Sequence, residues 1–164
     1  ALDIAAKHCE THLGCSLDLS RVAIRGWSFG GYLSALAVMR RPDRFHVAVA
    51  GAPVTEWRWY DTHYTERYLG NPAVDDIAYR RSSLIEDLES LERPLLLIHG
   101  LADDNVVAAH TLQLSSALLS IGAPHSVLPL AGVSHMTPQE VVAEHLLNLQ
   151  LDFIRQHLPS SQNH

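Results

Sequence analysis

The sequence predicts an α/β fold in which about four parallel strands form one sheet with helices on both faces. Short, fully apolar runs alternate along the chain with longer segments whose apolar residues recur at helical spacing. Strands that alternate with helices are joined by right-handed crossovers, which make the strands parallel and place the helices against the sheet. With 164 residues, 47% of them hydrophobic, the chain can bury the core of one globular domain.

Apolar patterning and stop signals set the predicted bounds of each element. An opening helix is predicted over residues 1–13 and stops at Gly14. The strands are predicted over residues 21–25, 45–50, 95–98 and 127–130. The other helices are predicted over residues 29–40, 82–91, 106–120 and 137–157.

The remaining segments are predicted from their composition. The aromatic-rich segment 54–71 is expected to be irregular, with Trp59 and Tyr68 interpreted as core packing. Thr137 and Pro138 give the last helix an N-cap and a proline at its first position. The predicted domain spans residues 1–158, and the polar residues 159–164 are expected to form a frayed tail.

A serine flanked by glycines lies where the first predicted strand turns into the next helix. Residues 26–31 read Gly-Trp-Ser-Phe-Gly-Gly, the nucleophile-elbow pattern of α/β-hydrolases. Because a serine hydroxyl is too weak an acid to attack a carbonyl unaided, Ser28 must be held away from the sheet, beside a base and oxyanion donors. Gly26 and Gly30 are expected to let strand and helix approach closely. The motif alone also occurs by chance in glycine-rich connections.

Asp103 and His135 complete the candidate machinery, because each follows the end of a predicted strand. Asp103 comes after the strand 95–98, and His135 comes after the strand 127–130. The chain order serine, aspartate, histidine is that of α/β-hydrolases, and the carboxyl ends of parallel strands share one edge of a sheet. We therefore predict a partial α/β-hydrolase fold in which His135 takes the proton of Ser28 and Asp103 fixes the histidine tautomer.

Two neighbours of this set have structural interpretations. Asp104 is the rival acid, and it is interpreted as an N-cap of the following helix. His99 closes its strand and is interpreted as a hydrogen-bonded structural histidine.

Charge and composition exclude several classes of function. The formal net charge is −6 and the twelve Lys and Arg residues form no basic stripe, which argues against nucleic-acid binding. No apolar run approaches the roughly 20 residues of a membrane span. His8 and His12 have the spacing of a metal pair but lack a third ligand, so no metal and no cofactor are predicted.

The ends and the cysteines bear on location. The first residues do not resemble a signal peptide, and the absence of an initiator Met indicates a fragment that an export signal could precede. Cys9 and Cys15 are expected to be free thiols in a reducing compartment, which favours a cytoplasmic location.

Three blocks of the sequence carry a more specific signal. They are the elbow at residues 26–32, the run Tyr-Thr-Glu-Arg-Tyr at 64–68 and the run Ala-Asp-Asp-Asn-Val at 102–106. With them, the chain over about residues 1–158 resembles the C-terminal part of the catalytic domain of prolyl oligopeptidase family serine peptidases, in the dipeptidyl peptidase IV branch.

The resemblance implies roles for individual residues. Ser28, Asp103 and His135 match the catalytic triad, and Phe29 matches the residue whose backbone N–H belongs to the oxyanion hole. Much of the family has tyrosine at this position, but only the main-chain donor is required there.

The resemblance also implies a substrate site. Asn105 matches a residue that binds a substrate carbonyl. The residues that match the pocket for the side chain before the scissile bond are Val54, Trp57, Tyr60, Tyr64 and Val106. An apolar pocket walled by aromatic rings suits proline or alanine.

The function implied is a serine peptidase that cleaves peptides after proline or alanine near the N-terminus. The family's N-terminal β-propeller and its upstream tyrosine oxyanion donor are not found in this chain. Assembly into a homo-oligomer is compatible with the resemblance. The alternatives are a broader serine hydrolase, such as an acylaminoacyl peptidase or an esterase, or an isolated fragment without activity.

Overall fold

Four parallel strands form one sheet in the computed structural model, which describes residues 1–136 and 140–158. The strands are β1 Ala23–Trp27, β2 Val47–Gly51, β3 Leu95–Gly100 and β4 His125–Leu130. They lie side by side in chain order, and every neighbouring pair is parallel. The predicted α/β class and strand number are confirmed.

Helices follow each of the strands, and two of them, α3 and α4, lie between β2 and β3. They are α1 Leu2–His8, α2 Phe29–Arg40, α3 Thr62–Leu69, α4 Asp76–Ser82, α5 Ala109–Ser120 and α6 Glu140–His157. A π-helical turn over Cys9–Leu13 continues α1, and 3₁₀ turns cover Trp57–Trp59 and Ile85–Ser90. None of the described helices is both long and apolar enough to span a bilayer.

The two faces of the sheet are covered by different helices. Ala48, Ala50 and Leu97 belong to a large core shared with α2 and α5. Val49 and Ile98 point the other way and belong to a smaller core with Leu146 of α6. Successive side chains of a strand point to opposite faces, so both faces of β2 and β3 are buried, as continuous apolar runs indicate.

Two predicted elements are wrong. The segment expected to be irregular contains α3, which begins where the Asp61 carboxylate accepts a hydrogen bond from Tyr64 N at 2.8 Å. The helix predicted over residues 82–91 is replaced by α4, which ends at Ser82, and a 3₁₀ turn. The predicted cap at Thr137 and Pro138 and the tail 159–164 lie outside the described residues.

Backbone contact between strands and α2 depends on two glycines. A Cβ at Gly26 of β1 would collide with the backbone carbonyl of Gly30, and a Cβ at Gly31 would collide with the carbonyl of Gly51 in β2. A Cβ at Gly30 would meet nothing within 4 Å. Close approach of β1 and α2 therefore requires glycine at position 26, as expected. At position 30 only the backbone carbonyl takes part in the contact, so glycine is not required there.

Gly26→Ala and Gly30→Ala form a matched pair that tests this packing. Gly26→Ala should lower the free energy of unfolding by about 1–3 kcal/mol or more, because backbone must move to admit the methyl group. Gly30→Ala should leave stability unchanged or raise it by up to about 1 kcal/mol, because alanine favours a helix and the space is open. Urea unfolding of both variants checks the pair, and equal losses would contradict it.

Candidate active site

Ser28 lies at the carboxyl end of β1 in a strained backbone conformation. Its φ is 57° and its ψ is −119°, and among the described residues the only other non-glycine residue at positive φ is Ala52. Ser28 N donates to Gly51 O at 2.8 Å, and Ser28 O accepts from Tyr32 N at 3.0 Å. The strand and the helix thus hold the turn from both sides, and strain of this kind concentrates at functional sites.

Asp103 lies on the loop after β3 with its carboxylate buried. Its side chain is 0% exposed, and Oδ1 accepts hydrogen bonds from Asn105 N at 3.0 Å and Val106 N at 2.8 Å. Oδ2 lies 2.8 Å from Nδ1 of His135. Because a carboxylate oxygen only accepts, Nδ1 of His135 carries a hydrogen, and in the neutral form of the ring the free electron pair lies on Nε2.

The His135 loop is attached directly to the ends of two strands. The Trp27 indole Nε1 donates to His135 O at 2.7 Å, and Ala102 N donates to Val133 O at 3.0 Å. A Cβ at Gly100 would collide with the carbonyls of Val133 and Ser134. Gly100 at the end of β3 therefore lets the loop that carries His135 lie against the start of the loop that carries Asp103.

The structure brings Asp103 and His135 together and places Ser28 at the same sheet edge. Within the described residues, no hydrogen bond joins the Ser28 hydroxyl to the His135 ring. Such bonds are often long before substrate binds and tighten in the complex. A serine, a histidine base and an orienting carboxylate in this order can perform nucleophilic acyl transfer.

Asp104 is not an N-cap. It is exposed, and α5 begins after Ala108, which makes no side-chain capping hydrogen bond. The Asp104 carboxylate faces Ser134 Oγ at 3.5 Å. It is Asp103 whose Oδ1 accepts hydrogen bonds from the loop turn at residues 105 and 106, before the helix begins.

Trp57 is the centre of an aromatic cluster beside the elbow. It is buried, and its ring meets Tyr60 edge-on at 5.9 Å and stacks near Tyr64 at 6.2 Å between centroids. The Phe29 ring lies 5.9 Å from it on another side. Edge-to-face pairs of this kind fix ring positions.

An apolar cavity of about 410 Å³ opens beside this cluster. Its walls are Phe29, Tyr32, Trp57, Tyr64, Thr65, Tyr68, Leu69 and Ser82. Of the predicted pocket residues, Trp57 and Tyr64 line it. Val54 and Val106 are buried in the core that contains Trp57.

Several cavity residues were not predicted, although the sequence contains a signal for them. Tyr68 comes four residues after the predicted pocket residue Tyr64, and this spacing places both rings on one face of a helix. This spacing did not enter the prediction, because the segment was expected to be irregular. Tyr68 is 67% exposed and Trp59 is 42% exposed, so their interpretation as core packing is wrong.

Two contacts connect the aromatic segment to the elements that follow Asp103. The Tyr60 hydroxyl donates to Asn105 Oδ1 at 3.2 Å. Thr55 N donates to His110 Nδ1 at 3.1 Å, and Thr55 Oγ1 donates to His110 O at 3.0 Å. Burial lowers the pKa of His110 to about 4, so the ring is neutral and accepts from Thr55 at neutral pH.

A parallel sheet with a strained serine turn and an aspartate–histidine pair at its carboxyl edge defines an α/β-hydrolase domain. The chain belongs to the prolyl oligopeptidase family, whose family model matches residues 5–161.

Individual relatives are dipeptidyl peptidases. Human dipeptidyl peptidase 8 is 43% identical over 147 residues, and pig dipeptidyl peptidase 4 is 35% identical over 143 residues. The alignments cover 88% and 85% of this chain but 16% and 19% of those proteins. The crystal structure of Porphyromonas gingivalis dipeptidyl peptidase 4 matches with a TM-score of 0.83 at 31% identity, over 87% of this chain and 20% of that one.

Acidification is expected to destabilise the fold partly through His110. Its pKa is about 4 in the folded chain against an ordinary 6.5, so between these values the unfolded chain binds a proton that the folded chain excludes. The stability that neutral His110 contributes is therefore fully present above the pKa that this histidine has in the unfolded chain. It is lost as the pH falls toward the pKa in the folded chain. Over that window this group accounts for about 3 kcal/mol.

Urea unfolding midpoints measured across that pH range check this expectation. His110→Asn keeps an acceptor for Thr55 N but does not titrate, so its stability should fall less steeply with pH than that of the unmodified protein. The two proteins should have parallel curves above the window. A variant curve as steep as the original would assign the loss to other groups.

Proposed function

We propose that this chain carries the catalytic machinery of a serine peptidase that cleaves peptides after proline or alanine near their N-terminus. The observation that supports it most is the 2.8 Å contact between Asp103 and His135 at the sheet edge that holds the strained Ser28 turn. The family supports peptidase chemistry, and the relatives' names support dipeptide release. A cytoplasmic location stays a prediction.

In the proposed reaction, Ser28 Oγ attacks the carbonyl carbon of the scissile bond while His135 Nε2 takes the hydroxyl proton. The C–N bond then breaks as His135 returns that proton to the leaving amine, which leaves an ester on Ser28. A water molecule, deprotonated by His135, attacks this ester; the bond between the acyl carbon and Ser28 Oγ breaks, the acid is released, and His135 returns the proton to Ser28 Oγ. Asp103 holds the Nδ1–H tautomer and stabilises the charged imidazole in both steps.

Backbone and aromatic groups complete the proposed site. Phe29 is the first residue of α2, where a backbone N–H has no partner within the helix, so it can donate to the oxyanion. The pocket for proline or alanine is assigned to Val54, Trp57, Tyr60, Tyr64 and Val106, and Asn105 is assigned to a substrate carbonyl. Tyr60 donates to Asn105 Oδ1, which leaves the amide N–H groups free for that carbonyl.

Three substitutions in the full-length protein test the catalytic assignment. Ser28→Ala should lower turnover of chromogenic Xaa-Pro amides by about 10⁴- to 10⁶-fold and abolish labelling by a fluorophosphonate. Asp103→Asn should lower turnover by roughly 10⁴-fold, because it favours the wrong His135 tautomer. Asp104→Asn is the matched control and should retain activity. Labelling of the Ser28 variant would refute the nucleophile, and a reversed order of the two aspartates would refute the acid.

Tyr64→Ala tests the pocket. Loss of the ring removes about 0.5–1.5 kcal/mol of aromatic contact beyond its buried area, so proline substrates should lose more kcat/KM than alanine substrates. Tyr64→Phe keeps the ring and should retain the preference. An equal loss for both substrates, or efficient cleavage of simple esters in preference to Xaa-Pro amides, would favour a broader serine hydrolase.

A further inference from the structure

We propose that His99 is a positioning residue that fixes Asp103 by holding the Val106 carbonyl and by remaining neutral beside the carboxylate. The inference rests on the proposed function, since it concerns the same aspartate. His99 lies in β3 and is 1% exposed.

The hydrogen bonds of His99 define a single neutral tautomer. Nε2 lies 2.7 Å from Val106 O, and because a carbonyl oxygen only accepts, Nε2 carries the hydrogen. Nδ1 lies 2.7 Å from Thr111 Oγ1, so Nδ1 accepts from the threonine hydroxyl. Both ring nitrogens are thus satisfied without a second proton.

Val106 transmits this contact to Asp103. The Val106 N–H donates to Asp103 Oδ1 at 2.8 Å, while the Val106 carbonyl accepts from His99. His99 Nε2 also lies 3.4 Å from Asp103 Oδ2, the oxygen that faces His135 Nδ1 at 2.8 Å. His99 therefore fixes Val106, whose N–H binds Oδ1 of Asp103. The His99 ring also lies beside Oδ2, the other oxygen of the same carboxylate.

Electrostatics favour the neutral ring. Burial lowers the pKa of His99 despite its hydrogen bond to Val106 O and its attraction to Asp103. The other titratable groups that act on it are His135 and His110, and a charge on either opposes a charge on His99. A protonated His99 would pair with Oδ2 and compete with His135 for the aspartate. The neutral form leaves the carboxylate charge to His135.

A purely structural histidine would fill the same space, so the test separates folding from positioning. The variants are His99→Phe, which removes both hydrogen bonds, and His99→Gln, whose amide can still donate to Val106 O. Thr111→Val removes the hydroxyl at constant shape, and Thr111→Ser restores it. The control is Ser115→Ala, because Ser115 Oγ and His125 Nε2 form a similar pair at 2.9 Å at the opposite end of the neighbouring strand.

The readout is the time course of fluorophosphonate labelling of the full-length protein. The amplitude reports the fraction of protein that is folded, and the rate constant reports activation of Ser28 independently of a peptide pocket. Turnover in the unmodified protein and its loss in Ser28→Ala test the proposed function separately. These two results do not depend on His99.

The rate constant should fall roughly 10- to 100-fold in His99→Phe, since a shift of about 1 Å in a reacting group costs about that much. Thr111→Val should lose roughly threefold to tenfold, the effect of one hydrogen bond. His99→Gln should recover part of the rate, whereas Thr111→Ser and Ser115→Ala should keep all of it. Unchanged rate constants with reduced amplitudes would overturn the proposal. If His99→Phe does not fold, the Thr111 pair decides, and equal rates for valine and serine would overturn it.

Discussion

The site depends on backbone contacts at the carboxyl edge of the sheet, where carbonyl groups occupy the space that side chains would otherwise fill. The carbonyl of Gly30 lies against Gly26, and the carbonyls of Val133 and Ser134 lie against Gly100. The first contact packs α2 onto β1 and holds Ser28 in its strained turn. The second contact places the loop that carries His135 against the end of β3, where the loop that carries Asp103 begins. Interiors packed at this density leave little room for such segments to separate.

The buried carboxylate of Asp103 is tolerated because each of its two oxygens has hydrogen-bond partners. A buried charge without partners is very costly, but here two backbone N–H groups bind Oδ1 and the His135 ring faces Oδ2. These donors also determine the direction of the carboxylate. The same bonds that make its burial possible therefore orient the His135 ring, so the stability of the loop and the geometry of the proposed base have a common origin.

The sequence predicts the parts of the fold that follow from local patterning. Continuous apolar runs located β2 and β3, and the glycine–serine motif located the turn at Ser28. Helix α3 was not predicted, although Asp61 is a good N-cap residue and Tyr64 and Tyr68 have helical spacing, because the segment was interpreted from its aromatic composition and not from its periodicity. Asp104 was predicted to cap the following helix, but that helix begins after Ala108, and it is Asp103 whose carboxylate binds the turn in the loop. The sequence does not distinguish the two adjacent aspartates, because only the fold decides which one points inward. The close approach at Gly100 depends on a loop more than thirty residues away and has no local signal.

Hydrogen bonds connect the aromatic segment, residues 54–71, to the loop that carries Asp103 and to α5, the helix that follows it. One runs from the Tyr60 hydroxyl to Asn105, and the other from Thr55 to the neutral ring of His110. Asn105 itself donates through its backbone to the carboxylate of Asp103. Hydrogen bonds thus connect Tyr60, through Asn105, to Asp103, the residue whose carboxylate contacts His135. Because the proposed pocket and the proposed base share these contacts, we expect a substitution at Tyr60 or Asn105 to change both substrate preference and reaction rate.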